Sequence, residues 1–102
     1  MSVSLAEFLL ARIAEDEAPA RLLAVQSKYK WETIASLIVD DYHDRELEAA
    51  ERHIARHDPA RVLAECEAKR QLLASPYDFD SVLRYLALPY ADHPDYDEAW
   101  RP

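Results

Sequence analysis

The chain has 102 residues, half of them apolar and 31% charged. It is long enough for a single domain over residues 1–102 with one modest core, and its composition excludes a disordered chain. The formal net charge of −8 predicts no direct binding to nucleic acid, because proteins that bind phosphates normally need a cluster of Lys and Arg.

Missing residue types exclude further classes of protein. The sequence contains no glycine and no asparagine, so it cannot form the glycine-rich loops that bind nucleotide phosphates. Cys66 is the only cysteine, which excludes an internal disulfide and fits a reducing compartment. No apolar run reaches the roughly 18 residues that span a bilayer, and the N-terminus lacks the pattern of a secretory signal. The sequence thus predicts a cytoplasmic protein without membrane contact.

The first predicted helix begins after Ser4, which has capping-box spacing with Glu7. Its apolar stripe consists of Leu5, Phe8, Leu9 and Ile13. Pro19 removes one backbone donor and crowds the preceding turn. The helix is therefore expected to bend or restart at Pro19, with residues 21–26 continuing on a new axis.

Residues 28–42 carry two conflicting patterns. Residues 29–33 alternate as in a strand, whereas apolar residues in 34–38 have helical spacing. A helix is favoured, and a short strand pair with a longer turn is the alternative. Trp31 is predicted to anchor the core or its edge and not to bind a ligand.

The segment 44–57 has apolar residues three or four apart and predicts an amphipathic helix. Asp58 and Pro59 then mark the start of another helix, because aspartate is a good N-cap and proline fits the first helical position. The buried stripe of that helix is predicted to contain Val62, Leu63, Cys66 and Leu73. Cys66 is interpreted as a small core residue and not as a nucleophile, because glutamates flank it on both sides.

A further helix is expected after Pro76, with Asp78 or Asp80 as its cap and its end near Pro89. Its apolar residues are Phe79, Val82, Leu83, Leu86 and Ala87.

The tail that follows is predicted to form a short last helix, with His93 or Asp92 as its cap and Pro94 at the first position. Tyr96 and Trp100 would then lie one turn apart. Together with Tyr90, they carry enough apolar area that the tail should dock on the core.

These elements predict a mainly α fold. We expect a small bundle of four to five helices with proline-marked corners, and a short strand pair at 28–42 is its one open alternative.

Three blocks of sequence stand out: FLLARIAEDEAPAR, HIARHDPARVLAECEAKR and VLRYLALPYADHPDYDEAWRP. They resemble an uncharacterised family of small actinobacterial and actinophage proteins. The resemblance implies no known activity, and it suggests a phage or mobile-element origin. It also implies longer relatives with a cysteine-bearing insert before the last block. This chain cannot form a zinc site of that kind, because Cys66 is its only cysteine.

Histidines raise a metal-binding alternative. His53 and His57 share one helix face, and His93 in the tail is a candidate third ligand for a site with an open position. Against this, the pair lacks the glutamate of a metallopeptidase helix, and His57 falls where the helix dipole alone favours a cation. No metal or other cofactor is therefore predicted. Acid/base catalysis by His57 with Asp58, or by His93 with Asp92, is disfavoured because adjacent residues rarely form such pairs.

The sequence favours binding over catalysis. It predicts a small acidic protein-interaction or regulatory protein with a protein partner, with a homodimer as one form of that partnership. A phage-encoded inhibitor that mimics the charge of DNA is the sharper version. The alternative is a metal-dependent hydrolase or metal-binding protein built on His53, His57 and His93.

Overall fold

The structure, a computed structural model, describes residues 3–26 and 45–102. These residues form four α-helices: α1 (Leu5–Gln26), α2 (Arg45–Arg56), α3 (Pro59–Ala74) and α4 (Asp80–Ala87). Two single 3-10 turns follow at Leu88–Tyr90 and Glu98–Trp100. The mainly α prediction is confirmed, since the described residues contain no strand. The predicted alternatives at 28–42, and Trp31 with them, lie outside the described residues.

The start of α1 is capped by Ser4. The Ser4 hydroxyl oxygen accepts a hydrogen bond from the backbone N–H of Glu7 at 3.1 Å, which satisfies one free donor of the first turn. The same hydroxyl donates to Oε1 of Glu7 at 3.1 Å. The Glu7 carboxylate thus binds the hydroxyl of Ser4, where a capping box would have it bind the backbone N–H.

Pro19 lies inside α1, which continues through it to Gln26. The expectation that the helix restarts at this proline is therefore wrong, whereas the expected bend stays a prediction. A proline removes a single donor from the helix, and the residues on both sides of Pro19 are alanines, which have the highest helix propensity. The high helix propensity of these alanines and the hydrogen bonds of the neighbouring turns allow the helix to continue past Pro19.

Asp58 and Pro59 form the junction between α2 and α3. Oδ1 of Asp58 accepts a hydrogen bond from the backbone N–H of Arg61 at 2.7 Å, and Pro59 is the buried first residue of α3. The Arg61 guanidinium donates to the carbonyl of Arg56 at 3.2 Å and to Glu65 at 3.0 Å. Arg61 therefore joins the end of α2 to the first turns of α3.

The chain divides into two compact units. Met1–Asp16 and Cys66–Pro102 form the first unit, and Glu17–Glu65 forms the second. The expectation of a single domain over 1–102 stays a prediction.

Phe8 lies at the centre of the first unit, where its side chain is 2% exposed. Four rings surround it, with centroid distances of 6.4 Å to Tyr90, 5.6 Å to His93, 5.9 Å to Tyr96 and 5.1 Å to Trp100. Leu5, Leu9 and Ala87 complete the buried cluster, and Leu73, Leu83, Leu86 and Ala91 pack against it. The predicted docking of the tail on the core is confirmed.

The tail reaches this core without the predicted last helix. The only helical turn after Tyr90 in the described tail is Glu98–Trp100, which Asp97 caps by accepting the backbone N–H of Ala99 at 2.9 Å. Nδ1 of His93 accepts the N–H of Asp95 at 3.0 Å, and this bond closes a turn around Pro94. The prediction of a helix that begins at Pro94 is wrong, because side chains of the tail bind the backbone in turns before a helix can start.

The start of α4 also differs from the prediction. Phe79 occupies the N-cap and makes no side-chain cap bond. Asp78 accepts the N–H of Asp80 at 3.1 Å, and Asp80 itself pairs with Arg84 at 2.8 Å. Neither aspartate is the N-cap residue, but both place negative charge at the positive end of the helix dipole.

The Asp58 cap gives a testable effect on stability. Asp58→Ala should lower the free energy of unfolding by about 0.5–2 kcal/mol, because the Arg61 N–H loses its acceptor. Asp58→Asn retains an acceptor oxygen and should stay close to the unmodified protein. Urea unfolding followed by circular dichroism measures both changes. An Asp58→Ala midpoint equal to that of the unmodified protein would show that the bond contributes nothing.

Candidate functional site

The exposed side of α4 carries large apolar side chains. Val82 and Tyr85 are 42% and 64% exposed, and their spacing of three residues places them on one face of the helix. Tyr77, in the segment before α4, is 75% exposed, and its ring lies 6.1 Å from that of Phe79. We call Tyr77, Val82 and Tyr85 the tyrosine surface.

Charged groups border the tyrosine surface. Asp78 and Asp80 are exposed beside it. Arg84 donates from Nε to Asp80 at 2.8 Å and from Nη1 to the carbonyl of Ala99 at 2.8 Å, so its charge is engaged within the protein. The carboxylate of Asp78 thus adds negative charge next to the exposed tyrosines.

A buried arginine lies on the inner side of α1. Arg12 is 7% exposed, and its guanidinium lies 5.0 Å from the centroid of the Phe8 ring. Its Nη1 is in contact with Nε2 of His93, and its Nη2 donates to Oε1 of Glu15 at 2.9 Å. Because Asp95 N–H faces the other ring nitrogen of His93, both nitrogens of this histidine are in contact with N–H groups of the chain. This arrangement holds the tail against α1 and leaves His93 without a nitrogen for a metal ion.

Tyr90 and Asp16 form the second polar link between α1 and the residues after α4. The Tyr90 hydroxyl donates to Oδ2 of Asp16 at 2.6 Å, and the Nζ of Lys69 lies 5.9 Å from the centroid of the Tyr90 ring. Burial, the hydrogen bond to Asp16 and the negative charge of that carboxylate raise the pKa of the Tyr90 phenol well above its usual range. The phenol therefore stays protonated as a donor.

Two buried polar atoms in this unit have no hydrogen-bond partner among the described residues: Nε of Arg12 and the phenol oxygen of Tyr96. Each such atom costs on the order of 1–3 kcal/mol. Both side chains pack against the Phe8 ring, so the aromatic cluster must offset this cost. Both residues therefore contribute to the packing of the tail against α1.

The histidine pair lies in the other unit. His53 and His57 are both exposed, with ring centroids 4.4 Å apart. Nδ1 of His57 lies 2.8 Å from the carbonyl oxygen of His53, and the Asp58 carboxylate binds the Arg61 N–H, so His57 and Asp58 use different partners. Among the described residues no group of three or more His, Cys, Asp and Glu side chains could hold a metal ion.

The residues singled out in the sequence thus occupy four places. Tyr96 and Trp100 lie in the Phe8 core and contact each other at 5.6 Å. Asp58 and Pro59 lie at the helix junction, and Cys66 is a buried residue of α3 with 3% exposure. His93 belongs to the first unit, and His53 and His57 belong to the second.

Sequence reasoning missed Arg12 and Asp16, whose partners are 81 and 74 residues away along the chain. A periodic pattern in the sequence cannot predict contacts between residues that are so far apart along the chain. It also missed the exposure of Tyr77 and Tyr85. For Tyr85 a signal was present, because its position on α4 is opposite to that of Leu83 and Ala87.

Comparison with known proteins gives a family but no activity. Residues 2–102 match a family of unknown function, DUF6221, and the chain belongs to this family. No curated protein and no solved structure matches the chain. Within the described residues, no helix has the length and apolar character needed to cross a membrane.

The raised pKa of Tyr90 predicts a loss of stability in alkali. Above a pH of about 10, the unfolded chain releases this phenolic proton while the folded protein retains it, so the free energy of unfolding should fall as pH rises. Ultraviolet absorbance should show one of the six tyrosines ionising only when the protein unfolds.

Tyr90→Phe is the control for this effect. It should remove the late-titrating tyrosine and reduce the dependence of stability on pH above about 10. If the unmodified protein and Tyr90→Phe lose stability equally above a pH of about 10, the bond to Asp16 does not retain the proton.

Proposed function

We propose that this member of a family of unknown function acts by binding another protein, and that the tyrosine surface is the centre of the contact. The observation that carries the proposal is the exposure of Tyr77, Val82 and Tyr85, at 75%, 42% and 64%, within one short stretch of chain. Single exposed apolar residues are common on soluble proteins. Neighbouring large ones are typical of binding surfaces.

The residue types also support an interface. Tyrosine is enriched at the centres of protein interfaces, because its ring supplies a large contact area and loses little conformational entropy on binding. The opposite face of α4 supplies Leu83, Leu86 and Ala87 to the Phe8 core. This packing fixes the helix, so Val82 and Tyr85 are presented on a rigid support.

Charge indicates the chemistry of the partner. The exposed aspartates Asp78 and Asp80 border the tyrosine surface, and the whole chain has a net charge of −8. A symmetric dimer through this surface would bring these carboxylates close to their own copies, which costs free energy. We therefore propose a different protein, with an apolar pocket surrounded by Lys and Arg.

A nucleic-acid-binding protein has the required basic surface. The sharpest form of the proposal is a phage-encoded inhibitor that occupies such a surface in the cytoplasm of an actinobacterial host. This form rests on the acidic charge and on the resemblance of the sequence blocks to actinophage proteins.

Substitution of the two tyrosines tests the surface. Tyr77→Ser with Tyr85→Ser should weaken binding by about 2 kcal/mol or more, close to thirty-fold in Kd, if they are the anchors of the interface. Leu22→Ser, at a leucine that is 55% exposed in the other unit, is the matched control and should bind normally. Affinity capture followed by titration with the captured protein measures both. Equal capture by the double variant and the control would place the contact elsewhere.

Salt dependence tests the charge of the partner. Raising the ionic strength from about 0.05 to 0.5 M should weaken the complex, because the Debye length falls well below about 10 Å. The change should appear mainly as slower association in surface plasmon resonance. An affinity that does not vary with salt would exclude a basic partner. Light scattering that shows a homodimer would contradict the proposal of a different protein as partner.

A further inference from the structure

We propose that His53 and His57 form a two-histidine surface site for a late first-row transition metal ion such as Zn²⁺ or Ni²⁺. This site and the proposed protein-binding surface consist of different residues and have different ligands, and the pair belongs to the second unit whereas the tyrosine surface belongs to the first. The two proposals can therefore fail independently.

The first observation is the placement of the two rings. His53 lies in the last turn of α2, and His57 follows four residues later, just after the helix ends. The main chain still turns as a helix there, since the N–H of His57 bonds to the carbonyl of His53 at 3.2 Å. Both side chains are exposed, and their ring centroids are 4.4 Å apart. One ion can therefore reach a nitrogen of each ring with small rotations of the side chains.

The second observation is the hydrogen bond of His57. Its Nδ1 lies 2.8 Å from the carbonyl oxygen of His53. Because a carbonyl can only accept, Nδ1 carries the proton, and Nε2 is left with a free lone pair. Histidines that bind metal ions usually donate their other ring N–H to a carbonyl or carboxylate in this way, which fixes the tautomer and the ring. The ring of His57 is thus already held in the form that binds a metal.

The number of ligands sets the kind of site. A structural zinc site uses four protein ligands and a catalytic one uses three, whereas the described residues supply no group of three here. Within the part of the chain that the structure describes, the site therefore holds its ion by two imidazoles, with water in the remaining positions, and exchanges it readily. Imidazole nitrogens select Zn²⁺, Ni²⁺ and Cu²⁺ over Mg²⁺ and Ca²⁺, which prefer oxygen ligands.

Binding should also stabilise the fold around α2. The two rings have this spacing only while the backbone is helical, so an ion that binds both favours the folded state. Thermal unfolding of protein made without a histidine tag should show a saturable rise in Tm with NiCl₂ or ZnCl₂ and none with MgCl₂. Isothermal titration calorimetry should give saturable binding of the same two ions.

Single substitutions separate this site from general metal binding. His53→Ala and His57→Ala should each abolish the rise in Tm and the calorimetric signal. Both histidines are exposed, so circular dichroism should show that the two variants remain folded. Arg52→Ala, at an exposed residue of the same helix, is the matched control and should retain both signals. Metal binding that survives in the His53→Ala, His57→Ala double variant, or that is absent from the unmodified protein, would overturn the proposal.

Discussion

The packing of four rings around Phe8 is the contact on which the first unit depends. Phe8 comes from the first turns of α1, whereas Tyr90, His93, Tyr96 and Trp100 come from the last part of the chain. Three of the four partners meet the phenylalanine at interplanar angles between 70° and 78°, the edge-to-face arrangement that aromatic rings prefer. The polar contacts of Arg12 and Asp16 with the same region are one and two turns further along α1, so they depend on this packing for their geometry.

The aromatic cluster also explains how a charged side chain can be buried in a small core. The Arg12 guanidinium lies against the face of Phe8, and its hydrogen bond to Glu15 and its contact with His93 compensate part of its lost hydration. Among the described residues, Nε of Arg12 and the phenol oxygen of Tyr96 are buried without a hydrogen-bond partner, so the packing around Phe8 must offset their cost. Such a cluster orients the tail against α1.

Local sequence signals predicted local structure well. The Asp-Pro pair predicted the start of α3, and the spacing of Leu5, Phe8, Leu9 and Ile13 predicted the buried face of α1. The starts of α4 and of the last turn were misplaced, because aspartate and histidine side chains in those segments bind nearby N–H groups in several alternative turns that a sequence pattern does not distinguish. The contacts of Arg12 and Tyr90 could not be predicted, since they join residues from opposite ends of the sequence. The histidine pair could be predicted from its spacing, but the tautomer of His57 required the position of the His53 carbonyl.

The joining of the two chain ends has a consequence for synthesis in the cell. A ribosome adds residues from the N-terminus, so the apolar face of α1 is made long before Tyr96 and Trp100 exist to cover it. During that interval Phe8 and Leu9 remain without their final partners, and a nascent chain of this kind is a substrate for chaperones. A product that stops short of Trp100 lacks part of the aromatic cluster, and we expect proteases to remove such a chain faster than the complete one.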